Sequence, residues 1–346
     1  MAIDRQALTE AIRQQHERAP FSGVIDVRER GEIVFAEAFG LAQRAERIPN
    51  WVGTRFAIAS GTKTLTSIAV LQLVDAGRVA LDTRLVDCVD APLPQIDRDV
   101  TLHHLLCHAA GVPDYFDEAV MDDYEALWRD RPMYAFRAPR DFLPLFAHLP
   151  MKAAPGTRWA YNNAGYVLLG LVVEQVAGLQ FTQYVQRHVF DACEMTASGF
   201  FALDCLPGGT AYGYLPAADG GWRTNAYSVP IVGGPDGGAY TTVRDLARLW
   251  DALLGGRLLR EETLERMLTP HWRTDPADDE GHYGYGIWIA RRGGCTTAYS
   301  MVGEDPGVSF SSVMRRGPGV LCSLLGNTVG ASNAMRRAIA PIIEAA

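Results

Sequence analysis

The stretch Arg55-Phe-Ala-Ile-Ala-Ser-Gly-Thr-Lys-Thr-Leu-Thr-Ser67 decides how the rest of the chain is read. It puts Ser60 three residues ahead of Lys63, at the head of a run that continues through Leu65, Ile68, Ala69, Leu71 and Leu73 to Gly77. That run predicts a helix from Ser60 to about Ala76, closed by Gly77 and apolar on nearly every side, hence buried. Residues three apart on a helix share a face, so the Lys63 amine can reach the Ser60 hydroxyl. A serine attacks a carbonyl only when a neighbour takes its proton. Lysine can do so, because burial can strip its own proton, whereas arginine stays charged. Ser60 is therefore read as a nucleophile and Lys63 as its base. Only Lys63 and Lys152 are lysines among the 32 basic residues, and serines number 11 in 346. A Ser-x-x-Lys match then arises by chance about 0.06 times. On spacing alone, a lysine that merely solvates a helix start remains the alternative. The helix start adds outward-pointing amides and a dipole suited to developing negative charge.

The flanking sequence predicts an architecture around this helix. Residues 4–18 carry apolar residues at helical spacing, and 21–28 with 33–40 read as a hairpin about a glycine-containing turn. Residues 79–200 read as helical with irregular connections. They include a short helix from Thr101 and a helix starting near Asn162 or Asn163, either of which can cap it. A further helix is expected over 182–190, one capped by Thr242 and one over 261–268. Strands are expected at Tyr285–Arg291, Thr296–Met301, Val308–Arg315 and Val320–Asn327, before a last helix over Ala331–Glu344. Strands at both ends must pair with each other to avoid long open edges. The expected fold class is α/β (α+β type), an antiparallel sheet built from both chain ends and flanked by helices. A large helical domain is inserted, with residues 1–78 and 236–346 forming the sheet domain and 79–235 the insertion. The cleft at their junction is the expected site.

Composition narrows the partners. A net charge of −8 argues against a nucleic-acid partner. No run of about 18 apolar residues appears, so no membrane span is expected, and the N-terminus does not read as a signal peptide. The six cysteines are never closer than 12 residues, which gives no zinc pattern and reads as free core thiols of a reducing, cytoplasmic setting. His103, His104 and His108 include an i, i+4 pair but have no third ligand nearby, so they read as core or helix-face histidines rather than a metal site. The aromatic segment 114–150 reads either as the wall of an apolar substrate pocket or as satellite core. No cofactor or metal is expected, and the oligomeric state is left open.

Taken together, the motifs resemble the serine β-lactamase and penicillin-binding-protein superfamily, and within it the class C branch that also holds serine esterases and D-aminopeptidase-like enzymes. The resemblance covers nearly the whole chain. Phe56-Ala-Ile-Ala-Ser-Gly-Thr-Lys63 is similar to its first motif, and Tyr161-Asn-Asn163 to its Tyr-x-Asn motif. Leu105-Leu-Cys-His-Ala-Ala-Gly-Val-Pro113, Gly237-Gly-Ala-Tyr-Thr-Thr242, Tyr283-Gly-Tyr-Gly-Ile-Trp288 and Pro306-Gly-Val-Ser-Phe-Ser-Ser312 match further landmarks. The resemblance implies that Ser60 forms an acyl-enzyme and that Lys63 works as a neutral base. It implies that Tyr161 protonates the leaving group and then activates water, and that Asn163 orients Lys63 and substrate. The third motif departs from the family's Lys-Thr-Gly or His-x-Gly, because alignment on Pro306-Gly307 places Met301-Val302-Gly303 there. Gly303 still permits close approach, and the Glu304 amide is expected to pair with that of Ser60 as an oxyanion hole. Met301 offers no charge or donor for a substrate carboxylate, which favours a neutral ester. The expected activity is a serine hydrolase acting on a small-molecule ester or amide, of carboxylesterase type. The alternatives are a D-amino-acid peptidase or carboxypeptidase, a weak β-lactamase, or a binding protein that has lost turnover.

Overall fold

The computed structural model describes residues 2–345. Its frame is an eight-stranded sheet, with strands β1 (Gly23–Glu29), β2 (Glu32–Phe39), β3 (Trp272–Asp275), β4 (Asp278–Tyr283), β5 (Trp288–Arg292), β6 (Cys295–Asp305), β7 (Val308–Arg315) and β8 (Val320–Gly326). Their order across the sheet is β2-β1-β8-β7-β6-β5-β4-β3, with every neighbouring pair antiparallel. The two chain ends meet where β1 pairs with β8, from Gly23 opposite Gly326 to Glu29 opposite Val320. All eight strands lie within residues 23–39 and 272–326.

β8 is buried on both faces, and its side chains alternate between two cores. Val320, Cys322 and Leu324 meet Leu8 and Ile12 of helix α1 (Arg5–Arg18) and Met335, Ile339 and Ile343 of a C-terminal helix. Leu321 and Leu325 join the larger core on the other face, which contains Trp250 and the helix over Thr62–Asp75. In chain order the principal helices after α1 are α2 (Thr62–Asp75), α3 (Asn163–Ala177), α4 (Val243–Leu254) and α5 (Ala331–Glu344). From Thr62 to Leu71 every residue of α2 is buried, which matches its lack of a polar face. The 12-residue α4 is amphipathic instead, and Trp250 on its buried face donates to Ser312 Oγ of β7 at 2.9 Å.

Several elements differ from the sequence expectation. Strands β3 and β4 were not anticipated: they are largely exposed edge strands rich in charge, so the alternation that marks a half-buried strand is absent. β6 extends to Asp305 rather than stopping at Met301, because β7 continues to pair with it through Asp305 opposite Val308. The helix expected at 182–190 begins at Phe181 and widens to π geometry over Gln186–Phe190. All six cysteines are free, yet Cys205 and Cys295 are exposed and Cys88 is half-buried rather than core. Among the described residues no single helix is long and apolar enough to cross a membrane.

Candidate active site

Ser60 sits in a 3-10 turn, Ala59–Gly61, that runs directly into α2. Ala59 adopts φ 45°, a conformation that L residues rarely take and that neighbours must hold. The segment 233–239 supplies that hold. Ile58 N–H donates to Ala239 O at 2.9 Å, and Gly238 N–H to Ala59 O at 3.2 Å. The Thr62 hydroxyl donates to Ala59 O at 2.8 Å and accepts from Ala239 N–H at 3.0 Å. On the other side β6 closes in: a Cβ on Gly303 would stand 2.2 Å from Ile58 O and 2.8 Å from Ser60 N. Glycine is the residue that lets this strand lie against the serine turn.

Lys63 is 1% exposed, and its Nζ has three neighbours: Ser60 Oγ at 3.0 Å, Asn163 Oδ1 at 2.8 Å and Asp236 O at 2.6 Å. The last two are obligate acceptors, whereas a serine hydroxyl can also donate. A neutral amine therefore satisfies the geometry, with two N–H groups on the carbonyls and its lone pair on the Ser60 O–H. Burial pushes the Lys63 pKa below the ordinary lysine value, against the opposing pull of Asp236, Glu118, Asp114 and Asp305. Tyr161 moves the other way: burial, aided by Glu118, holds its hydroxyl well above the usual phenol range, although a hydrogen bond to Ser60 partly offsets this. Burial thus moves the pKa values of these two groups apart on either side of one hydroxyl. The Tyr161 ring stacks on Trp288 at 6.1 Å and packs against His108 at 4.5 Å. Lys63 Nζ lies 4.9 Å from its centroid.

Asn163 is the first residue of α3, and Asn162 caps the helix by accepting from Gly165 N–H at 2.6 Å. Asp114 anchors the same helix start, accepting from Asn163 N–H at 2.7 Å and Ala164 N–H at 3.0 Å. Burial lifts its carboxyl to about 7, although these amides pull it down. The Asn163 amide donates to Phe116 O at 3.3 Å, which fixes its oxygen toward Lys63.

A cavity of about 390 Å³ opens beside Ser60 and is lined by Asn163, Asp236, Glu304 and Asp305 together with Tyr115, Phe116, Tyr124, Phe142, Phe201 and Tyr240. Part of the aromatic segment 114–150 thus faces this cavity, and part is core. Met301, expected at the substrate side, is instead 1% exposed within the large core and does not line the cavity, because it belongs to the buried face of β6. Beyond Ser300, β6 loses its pairing with β5, which ends at Trp288 opposite Ser300. Met301–Asp305 consequently presents one unpaired edge near the serine turn.

Three contributors escaped the sequence reading. Asp236 acts on Lys63 through its backbone oxygen, for which no side-chain signature exists; the glycine-rich Gly233-Gly-Pro-Asp-Gly-Gly238 run was the available hint of close backbone approach. Asp114 closes the Gly111-Val-Pro-Asp114 loop, and a carboxylate after such a turn can accept from a helix start. His108 reads from the sequence as a core or helix-face histidine with no place at the site; it lies past the short helix at φ 59°, accepts Asn162 N–H at 3.2 Å and backs Tyr161. His103 instead meets the Tyr285 hydroxyl at 2.7 Å, and His104 accepts from its own helix cap, Thr101 N–H, at 3.3 Å.

The profile of the Beta-lactamase family matches residues 8–340. This chain belongs to the beta-lactamase family. The solved structure of a penicillin-binding protein from Bacillus halodurans superposes with a TM-score of 0.91 at 46% identity, covering 96% of this chain and 99% of that one. The putative penicillin-binding protein PbpX of Bacillus subtilis is 26% identical over 313 residues, 89% of this chain and 71% of its own length. Esterase EstB of Burkholderia gladioli is 32% identical over 197 residues, 54% of this chain and 49% of its own length. As a member of the beta-lactamase family the chain is a serine hydrolase, and its large antiparallel sheet with flanking helices is that family's fold.

Proposed function

We propose that this serine hydrolase is a carboxylesterase that works through an acyl-enzyme on Ser60. The observation that carries the reading is the buried Lys63 amine 3.0 Å from Ser60 Oγ, with its pKa lowered while that of Tyr161 is raised. Ser60 Oγ attacks the ester carbonyl and its proton passes to Lys63 Nζ. The oxyanion accepts from the amides of Ser60 and Glu304. The leaving alkoxide takes a proton from Tyr161, which Lys63 can replenish, and Ser60 is left as an ester. Water then attacks that ester, giving its proton to the Lys63–Tyr161 pair; Ser60 recovers its proton and the free acid departs. Asn163 holds Lys63 in place through Oδ1.

An ester is favoured over a carboxylate-bearing peptide or lactam because no Lys, Arg or His lines the cavity among the described residues, and Met301 turns into the core. The similarity to an esterase over about half the chain agrees with this. Amide cleavage is the second reading, supported by the unpaired edge of β6, along which a peptide backbone can lie. A panel of p-nitrophenyl esters tests the first. Wild type is expected to turn over short esters at least about 10³-fold faster than Ser60→Ala. Equal rates in the two proteins would sink the catalytic reading.

A further inference from the structure

The carboxylates near Ser60 differ in their partners. On the segment beside the cavity, three that do not line it are ion-paired: Asp117 with Lys152 at 2.6 Å, Asp123 with Arg129 at 2.5 Å and Glu125 with Arg223 at 2.6 Å. Those on the cavity, Glu118 and Asp122, make no ion pair among the described residues, and neither do Asp236 or Asp305. Glu304 also borders the cavity, but one of its oxygens is taken by Asn333 Nδ2 at 2.9 Å. Asp305, next along β6, has no hydrogen-bond partner for its side chain among the described residues. Asp236 is 7% exposed, and its carboxylate accepts from the Tyr115 hydroxyl and makes no ion pair among the described residues. Glu118, Asp122 and Glu304 are exposed at the rim, whereas Asp236 is buried and Asp305 half-buried, where an unpaired carboxylate is costly to the fold. Burial, against the opposing pull of Lys63 and with repulsion from Asp236, Glu118 and Glu304, lifts the Asp305 carboxyl to about 7. These groups do not converge into a metal site: no cluster of three or more His, Cys, Asp or Glu among the described residues can hold an ion. The rings of Tyr124 and Tyr240 share the cavity wall, and aromatic faces attract organic cations as carboxylates do.

We propose that this cavity binds an organic ammonium group, and that the natural substrate is an ester or amide carrying one, held by Asp305, Glu118 and Asp236 against Tyr124 and Tyr240. The inference deepens the hydrolase reading and rests on it for the reaction, though not for the binding. Two matched sets test it at pH 8. On the acyl side, p-nitrophenyl 6-aminohexanoate is compared with the heptanoate and with the mono-ester of adipate. On the alcohol side, choline heptanoate is compared with 3,3-dimethylbutyl heptanoate. The cationic member of at least one set is expected to show kcat/KM at least about tenfold above its neutral partner, with the adipate ester slowest. Asp305→Asn should reduce that ratio about tenfold, and Asp123→Asn, in an ion pair that does not line the cavity, should leave it at the wild-type value. Ratios near one in both sets, or a ratio unmoved by Asp305→Asn, overturn the proposal while leaving the hydrolase reading intact. Calorimetry on Ser60→Ala protein removes the dependence on turnover. Hexyltrimethylammonium should bind at least about tenfold more tightly than 1-hexanol and lose that advantage in Asp305→Asn; equal binding overturns the proposal whatever the catalytic outcome.

Discussion

Replacing one atom group beside Lys63 should move the reaction along the pH axis. Asn163→Asp keeps the shape of the contact but sets a carboxylate about 2.8 Å from Nζ. An anion there favours the ammonium form and raises the Lys63 pKa, opposing the burial that lowers it. In the proposed mechanism the neutral amine is the working form, so kcat/KM falls as pH drops through that pKa. The acid limb of the ester profile is expected to shift to higher pH in Asn163→Asp by about one unit or more. An unmoved limb would mean that Lys63 is not the group titrating. At this scale the sequence was readable where chemistry sits on a side chain in a fixed local frame. Ser60 and Lys63 stand three apart where a 3-10 turn runs into α2, so spacing makes their 3.0 Å contact accessible without dictating it. Tyr161 needed the family resemblance, since about 100 residues separate it from Ser60. Asp236 was invisible because its role toward Lys63 falls on a backbone oxygen.

Elements bring these residues together through close backbone approach. Gly303 is the test: an added methyl would stand 2.2 Å from Ile58 O, so either β6 or the serine turn must retreat. Gly303→Ala is expected to cut kcat by at least about 10² while lowering stability by roughly 1–3 kcal/mol. A protein with normal Tm and normal turnover would show that β6 does not set the position of Ser60. The helices were legible because their periodicity and caps are local: Asn162 caps α3 and Thr242 caps α4, as those residue types predict. Strand ends were less so. The last residues of β6, Val302–Asp305, lie beyond the strand expected to end at Met301, yet they stay in register with Val308–Ser311. That pairing belongs to the partner strand. β3 and β4 failed for the opposite reason, being too polar to alternate.

The whole molecule carries an electrostatic burden that its stability should report. Asp114 and Asp305 both titrate near 7 in the fold, against 3.8 for a free carboxyl. A folded carboxyl with a raised pKa holds a proton that the unfolded chain has released. The stability it contributes is present below about pH 4 and is lost as pH rises through about 7. Each group is worth up to ~4 kcal/mol across that window. Calorimetric Tm is expected to fall between pH 5 and pH 8, and Asp305→Asn should flatten the decline and exceed wild type at pH 8. A variant that melts below wild type at pH 8 would refute the burden.

The closure of the sheet by β1 and β8 has a bearing on how the molecule comes into being. Gly23 and Gly326, partners in the finished sheet, are about 300 residues apart in the chain. During synthesis the Ser60 turn and α2 leave the ribosome long before β6 and β7, the strands that wall the serine, have been translated. A nascent chain therefore carries its nucleophile with no opposing strand, no closed sheet and an apolar helix without its cover. The proposed chemistry waits for β6 and β7, so a chain interrupted before them is expected to be inert, and the half-made chain is the form most in need of chaperones.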